Sequence, residues 1–340
     1  MAALIRAKAP LRVSFAGGGT DVPPFPQDEG GCVLSATINR YAWGTLRVRA
    51  DEKVCINSLD LGLSLSYSSH RDLVYDGQMD LAKAAILRLA GSPPSGLDLF
   101  LHTDAPPGSG LGSSSAMMVT LVGVLKELRT LPLTDYEVAE LAYEIERVDL
   151  GIQGGLQDQY AAAFGGFNFI EFLSDRVIVN SLKISPTILN ELEYNLILCD
   201  TRKVRLSFSI IEDQVARYQS RDAGTVAALR EIKRLTIEMK NALLRGRLET
   251  FGELLHEEWQ QKKRMSSRIS TLEIDELYAL ARTEGAIGGK ITGAGGGGFM
   301  LLYCPFEKKH RIEDVLREHG CDIHHLAFEP LGLQTWRVPA

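Results

Sequence analysis

Between the apolar run Leu97–Leu101 and the apolar run Met117–Leu128 lies the segment Pro106-Pro107-Gly108-Ser109-Gly110-Leu111-Gly112-Ser113-Ser114-Ser115-Ala116. No other stretch limits so strongly what the chain can become. Glycines there allow successive backbone N–H groups to converge on one point and let a ligand approach the main chain closely. The apolar run that follows has helical character, so its N-terminus adds free N–H groups and the positive end of a helix dipole. The segment therefore predicts a phosphate cradle spanning Pro107, Gly108, Ser109, Gly110, Leu111, Gly112, Ser113, Ser114 and Ser115. The serine hydroxyls supply further donors and a ligand for Mg²⁺. A flexible Gly/Ser linker has similar composition, but such linkers are not usually wedged between a buried strand and a helix.

At 340 residues the chain exceeds what one hydrophobic core usually holds, so two domains are expected. Strand-like runs at 4–16, 32–49, Val54–Asn57, Leu63–Tyr67 and Leu97–His102 fill the first part. Helical spacing marks Asp80–Leu89, with Gly91 and Pro93-Pro94 as stop signals. Thr134-Asp-Tyr-Glu137 is a capping box for the helix running to Val148. A hairpin is expected at Phe167–Phe172 and Arg176–Leu182. Around Ser185-Pro186-Thr187 the texture changes. Asn195–Asp200 reads as a strand, 207–284 as mostly helical, Phe306–His319 as a helix and Ile323–Phe328 as a last strand. The expected division is 1–188, α/β, and 189–340, α+β.

The net charge of −6 argues against a general nucleic-acid binder. Five scattered cysteines without CxxC spacing suit buried thiols in a reducing cytoplasm. There is no apolar run of membrane-spanning length and no signal-peptide pattern, so neither a membrane nor a nucleic acid is an expected partner. Self-association into a homo-oligomer is left open by the sequence.

A phosphate loop needs partners before it can do chemistry. Glu144 and Glu146 end the helix after the capping box, and Glu144 reads as part of a solvated face. Asp158 stands in Gly151-Ile-Gln-Gly-Gly-Leu-Gln-Asp158-Gln159-Tyr160, at the start of an alanine-rich segment. An aspartate there is ordinarily a helix cap, but beside a phosphate loop it could take a proton from an attacking hydroxyl. Two further glycine-rich segments occur, Phe15-Ala-Gly-Gly-Gly-Thr20-Asp21 and Gly288-Gly-Lys290-Ile-Thr292-Gly-Ala-Gly-Gly-Gly-Gly298. Several such loops suggest a ligand clamped among them. None has the Gly-Lys-Ser/Thr of a P-loop. Gly293-x-Gly295-x-x-Gly298 has the bare dinucleotide spacing, but a strand follows where a helix should open.

Three segments in this order resemble the three motifs of the GHMP kinases: Pro10-Leu11-Arg12-Val13 with Gly18-Gly19-Thr20-Asp21, then Pro106–Ala116, then Lys290–Gly298. They span nearly the whole chain. The resemblance implies an α+β, two-domain fold, with an N-terminal domain like ribosomal S5 domain 2 and a ferredoxin-like C-terminal domain. It implies ATP and Mg²⁺, with Glu146 of Glu146-Arg147-Val148 and either Ser114 or Ser115 as metal ligands. It further implies Asp158 as catalytic base, Arg12 as its support, and Gly18, Gly19, Thr20, Asp21, Gly295 and Gly296 on the substrate.

The first motif and the turn Gly154-Gly155-Leu156-Gln157-Asp158-Gln159 resemble the branch of the family holding heptose 7-phosphate kinases and the kinase part of fucokinases. The expected reaction is phosphorylation of the anomeric hydroxyl of D-glycero-D-manno-heptose 7-phosphate. That would feed nucleotide-activated heptose into bacterial surface polysaccharide. The alternatives are an L-fucose-type 1-kinase and a catalytically inactive, ligand-binding member of the fold. A sugar that already carries a phosphate requires a second anion site. Arg202, Lys203 and Arg205 are the expected source, because they cluster at a strand-to-helix turn. Lys262-Lys263-Arg264 could also supply it, but that run reads rather as a solvated helix face.

Overall fold

The computed structural model describes residues 4–89, 96–203 and 207–338. The first sheet is built on two long strands, β1 (Leu4–Ala16) and, after the short α1 (Phe25–Glu29), β2 (Gly31–Val48). β3 (Val54–Ser58) and β4 (Leu63–Tyr67) form a hairpin, followed by α2 (Asp80–Leu89) and β5 (Leu97–Thr103). The stop signals Gly91 and Pro93-Pro94 lie outside the described residues. Then come α3 (Ser113–Arg129), α4 (Asp135–Tyr143), α5 (Gln157–Phe164) and the hairpin β6 (Phe167–Phe172) and β7 (Val177–Ser181).

The order across this sheet is β12 (Gln334–Arg337, from the end of the chain)-β1-β2-β5-β3-β4, with β6 and β7 also joined through β2. β2 is long enough to serve two neighbours. Its first half pairs β6 and its second half pairs β5. β1 accommodates Pro10, which has no N–H to give, at a register shift between Pro10 and Leu11.

The second part runs α6 (Pro186–Asn195), β8 (Leu196–Asp200), α7 (Ser207–Gln219), α8 (Ala223–Leu244), α9 (Leu248–Met265), α10 (Leu272–Thr283), β9 (Gly288–Ile291), β10 (Phe299–Tyr303), α11 (Phe306–Glu318), β11 (Asp322–His324) and β12 (Gln334–Arg337). Four of its strands form an antiparallel sheet in the order β11-β8-β10-β9.

Two elements depart from expectation. The segment at the expected boundary is the helix α6, opened by Pro186 at its first position. The expected strand Ile323–Phe328 shortens to β11. The chain then returns to the first sheet, where β12 pairs antiparallel with the outer side of β1. A four-residue edge strand carries too little periodicity to be seen in sequence.

The apolar core runs through both parts. Phe15 of β1 stacks on Phe167 with ring centroids 5.5 Å apart and meets Phe251 of α9 edge-on at 5.3 Å. This packing fixes the end of β1 against α9, and the cleft lies beside it.

Candidate active site

The three glycine-rich segments come together in one cleft. Gly108, Gly110 and Gly112 all have positive φ, and the backbone contact at Gly110 shows why. A Cβ there would lie 2.4 Å from the Thr292 carbonyl oxygen, so only glycine lets the phosphate loop rest on the third segment. Phe299 N–H donates to the Ser109 carbonyl at 3.0 Å and ties the same two loops.

α3 begins at Ser113, not Met117, so the three consecutive serines form its first turn. Gly112 is the N-cap and no side chain caps the helix. The N–H groups of that first turn therefore face the cleft as an anion site.

The two carboxylates of the sequence reading are held differently. Asp158 is in the first turn of α5 but does not cap it. It is drawn to Arg12, whose Nε and Nη2 both meet Oδ1, at 2.7 and 2.6 Å. The same guanidinium donates from Nη1 to the Gly110 carbonyl at 2.5 Å. Arg12, 146 positions from Asp158 in sequence, thus joins the aspartate to the phosphate loop.

Glu146 sits in a widened π-type turn, Glu144–Asp149, that follows α4. Such turns recur at functional sites because they turn a side chain out of helical phase. Its carboxylate is fully buried. It accepts from Ser114 Oγ at 2.7 Å and Gln159 Nε2 at 2.7 Å, with Arg147 at 3.6 Å. Ser115 is buried and takes hydrogen bonds from Arg147 and Gln159. The geometry therefore pairs Ser114, not Ser115, with Glu146. Glu144 is exposed, in keeping with a solvated face, and pairs with Arg88.

Among the described residues no group of three or more His, Cys, Asp or Glu side chains gathers as a metal cage. A cation carried on a triphosphate needs only one or two protein ligands besides the phosphate oxygens. One buried carboxylate with an adjacent hydroxyl at the mouth of an anion-binding helix fits that requirement.

Asp21 lies opposite. It is buried and accepts from Gly19 N at 3.0 Å and from Gln157 N and Nε2 at 3.2 and 3.0 Å. Burial raises its pKa despite these bonds, and the charge of Asp158 pushes the same way. Gly155 is required beside it, since a Cβ there would fall 1.9 Å from Asp21 Oδ2.

Several expected substrate residues are not at the cleft. Thr20 is buried and its hydroxyl bonds Gly17 and Cys32, so it secures the turn. Gly293 and Ala294, not Gly295 and Gly296, line the cleft from the third segment. Pro107, Ser109 and Leu111 are not in the lining either: Pro107 is exposed, and Ser109 and Leu111 are buried. Ser109 and Leu111 serve through their carbonyls, to Phe299 and Arg12.

The structure does not bring Arg202 and Lys203 of the expected second anion site to the cleft. Arg202 is exposed and held in a two-pronged pair with Asp322 at 2.8 and 2.7 Å. Arg205 lies outside the described residues.

Lys262 reverses its reading. It does not lie on a solvated face but is buried at the cleft, donating to the Gly293 carbonyl at 2.6 Å. Lys263 and Arg264 do face outward, bonded to Asp275 and Gln261. The signal was present in the phase of α9. Phe251, Leu255, Glu258, Lys262 and Met265 recur at four and three residues and are all buried, so Lys262 sits on the core stripe. Gln157 and Gln214, also at the cleft, had no comparable signal.

Comparison with known proteins agrees with this geometry. Residues 80–166 match the GHMP kinases N terminal domain and residues 239–321 the GHMP kinases C terminal domain. The chain is 40% identical over 338 residues to the D-glycero-alpha-D-manno-heptose 7-phosphate kinase of Campylobacter jejuni, covering 98% of this chain and 99% of that one. It is similar, with TM-score 0.83 and 37% identity, to the crystal structure of a D-glycero-D-manno-heptose 1-phosphate kinase from Bacteroides thetaiotaomicron, covering 99% and 100% of the two chains. The bifunctional fucokinase/GDP-fucose pyrophosphorylase of Arabidopsis thaliana is more distant, at 26% identity over 93% of this chain and 31% of its own.

The chain belongs to the GHMP kinase family. It has the two-domain fold of that family and is a phosphotransferase with an alcohol group as acceptor, working with ATP and a divalent metal. The reading as an inactive ligand-binding member gives way. No helix among the described residues is long and apolar enough to cross a membrane.

Proposed function

We propose that this chain transfers the γ-phosphoryl group of ATP to the anomeric hydroxyl of D-glycero-D-manno-heptose 7-phosphate, giving the 1,7-bisphosphate. The Arg12–Asp158 pair, set against Gly110 and Gly112 of the phosphate loop, carries this reading. A carboxylate held beside the phosphate loop supports proton acceptance from a hydroxyl that would face a bound triphosphate.

In this reading the phosphate loop and the N-terminus of α3 hold the triphosphate. Ser114 and Glu146 would hold Mg²⁺, which supplies charge neutralisation on the phosphate oxygens. Asp158 accepts the proton of the anomeric hydroxyl as its oxygen bonds to the γ-phosphorus. The bond from that phosphorus to the bridging oxygen breaks, and ADP departs. Arg12 holds the carboxylate in place and aimed, while Asp21 orients the sugar. Positioning and electrostatic stabilisation account for most of the rate in such transfers. Free thiols at all five cysteines accord with a cytoplasmic setting.

The names of the two similar kinases put the resident phosphate at opposite ends of the sugar. A panel of heptose 7-phosphate, heptose 1-phosphate, L-fucose and D-mannose with ATP, read by ADP release and by ³¹P NMR of the product, tests the proposal. The expected result is turnover of the 7-phosphate, with a new anomeric phosphorus signal. Turnover of fucose without the heptose phosphate, or of the 1-phosphate alone, overturns it.

A further inference from the structure

Lys262 is a buried cation with no carboxylate at ion-pair distance among the described residues. Among the described residues its one hydrogen bond goes to the Gly293 carbonyl, which leaves two of the three ammonium N–H groups unused there. The adjacent buried Lys290 shows the contrast, being matched by Glu258 at 2.9 Å. A buried charge is ordinarily paired, because leaving it alone costs several kcal/mol.

The unused donors face the acceptor side of the cleft. A Cβ on Gly18 would lie 3.1 Å from Lys262 Nζ, 3.8 Å from Gln157 Nε2 and 3.9 Å from Ser14 Oγ. Ser14 Oγ and Gln157 Oε1 are buried and have no hydrogen-bond partner. Lys262 Nζ and the unsatisfied Ser14 Oγ thus meet at a point kept open by a missing side chain, with the Gln157 amide beside them. Asp21, the nearby carboxylate, is engaged by Gly19 and Gln157. The triphosphate already has its own site at the first turn of α3.

We infer that Lys262, above Gly18, binds the phosphate group that the acceptor sugar carries before the reaction. This rests on the proposed function and names its specificity-determining residue. A dianion supplies the counter-charge that the fold withholds from Lys262. An unphosphorylated sugar leaves the ammonium unpaired, so the site discriminates by what it lacks.

The charged groups facing Lys262 are Lys290 of β9, Glu258 of α9, Asp21 and Arg12. Burial first, and then the Lys290 charge, bring its pKa down to about 7. Binding of the dianion near pH 8 therefore draws a proton into the site.

Two measurements test this. The first compares kcat/KM for D-glycero-D-manno-heptose 7-phosphate and for D-glycero-D-manno-heptose in the wild type and Lys262→Met. The preference for the phosphorylated sugar should fall at least ~30-fold. A parallel fall for both sugars would place Lys262 on the transferred phosphoryl group and overturn the assignment. The second needs no variant: calorimetric titration of the wild type at pH 8 in two buffers of different ionisation enthalpy. Greater proton uptake is expected with the 7-phosphate than with the free heptose, and equal uptake overturns the inference. Wild-type protein that neither binds nor phosphorylates the heptose phosphate overturns the proposed function together with this one. Wild type that does both, beside a variant with unchanged preference, overturns the Lys262 assignment alone.

Discussion

Lys262→Met should make the ligand-free protein more stable at neutral pH. The lysine's pKa falls from 10.5 to about 7 on folding, chiefly through burial. At about 1.4 kcal/mol for each tenfold change, the buried ammonium costs about 4 kcal/mol at pH 7. Methionine fills a similar volume and carries no charge, but it leaves the Gly293 carbonyl without its donor, a loss of about 1–3 kcal/mol. The net gain is about 1–3 kcal/mol, or about 2–4 °C in Tm for a chain of this size.

The sign of the pH dependence follows from the lowered pKa. Between 7 and 10.5 the unfolded chain holds this proton more fully than the folded one. The wild type therefore gains stability as pH rises, and the variant's advantage shrinks by about 2 kcal/mol between pH 7 and pH 9. Other titrating groups are common to both proteins and cancel in the difference. Differential scanning fluorimetry at pH 6, 7 and 9, with circular dichroism to confirm the fold, reads both effects. A variant that melts lower than the wild type at pH 7, or a gap that does not narrow by pH 9, refutes the reasoning.

Three other perturbations probe the site. Asp158→Asn should lower kcat by about 10²–10⁴ while ATP affinity by calorimetry stays within a few-fold, since the residue acts on the hydroxyl proton; undiminished turnover would remove it as the base. Glu146→Gln should raise the Mg²⁺ concentration for half-maximal activity by about tenfold or more, measured at saturating ATP. Gly155→Ala should push Asp21 out of place, because the new Cβ meets its Oδ2. The sugar KM should rise by about tenfold, with ATP KM little changed; equal changes in both would point to general misfolding.

Much of this site was legible as local pattern. The glycines of 108–112 and the helix after them specify a phosphate cradle within about ten residues, because φ permissiveness and helix dipoles are local properties. The capping box at Thr134–Glu137 formed with both hydrogen bonds in place. The basic clusters were misread for an equally physical reason. Charge density at a turn did not make Arg202 a ligand site, because Asp322 of a distant strand neutralises it. Lys262 looked solvated beside Lys263 and Arg264, although its phase along α9 put it inside.

The sequence by itself determined the phosphate loop, the order of the three glycine-rich segments and the residue types at Glu146 and Asp158. Those follow from short-range stereochemistry. Only the tertiary structure decided that Arg12 would hold Asp158, that Ser114 rather than Ser115 would meet Glu146, that β12 would close the edge of β1, and that Lys262 would stand unpaired above Gly18. Each of these depends on how distant segments pack, and packing alone sets which polar group is buried with a partner and which is buried without one.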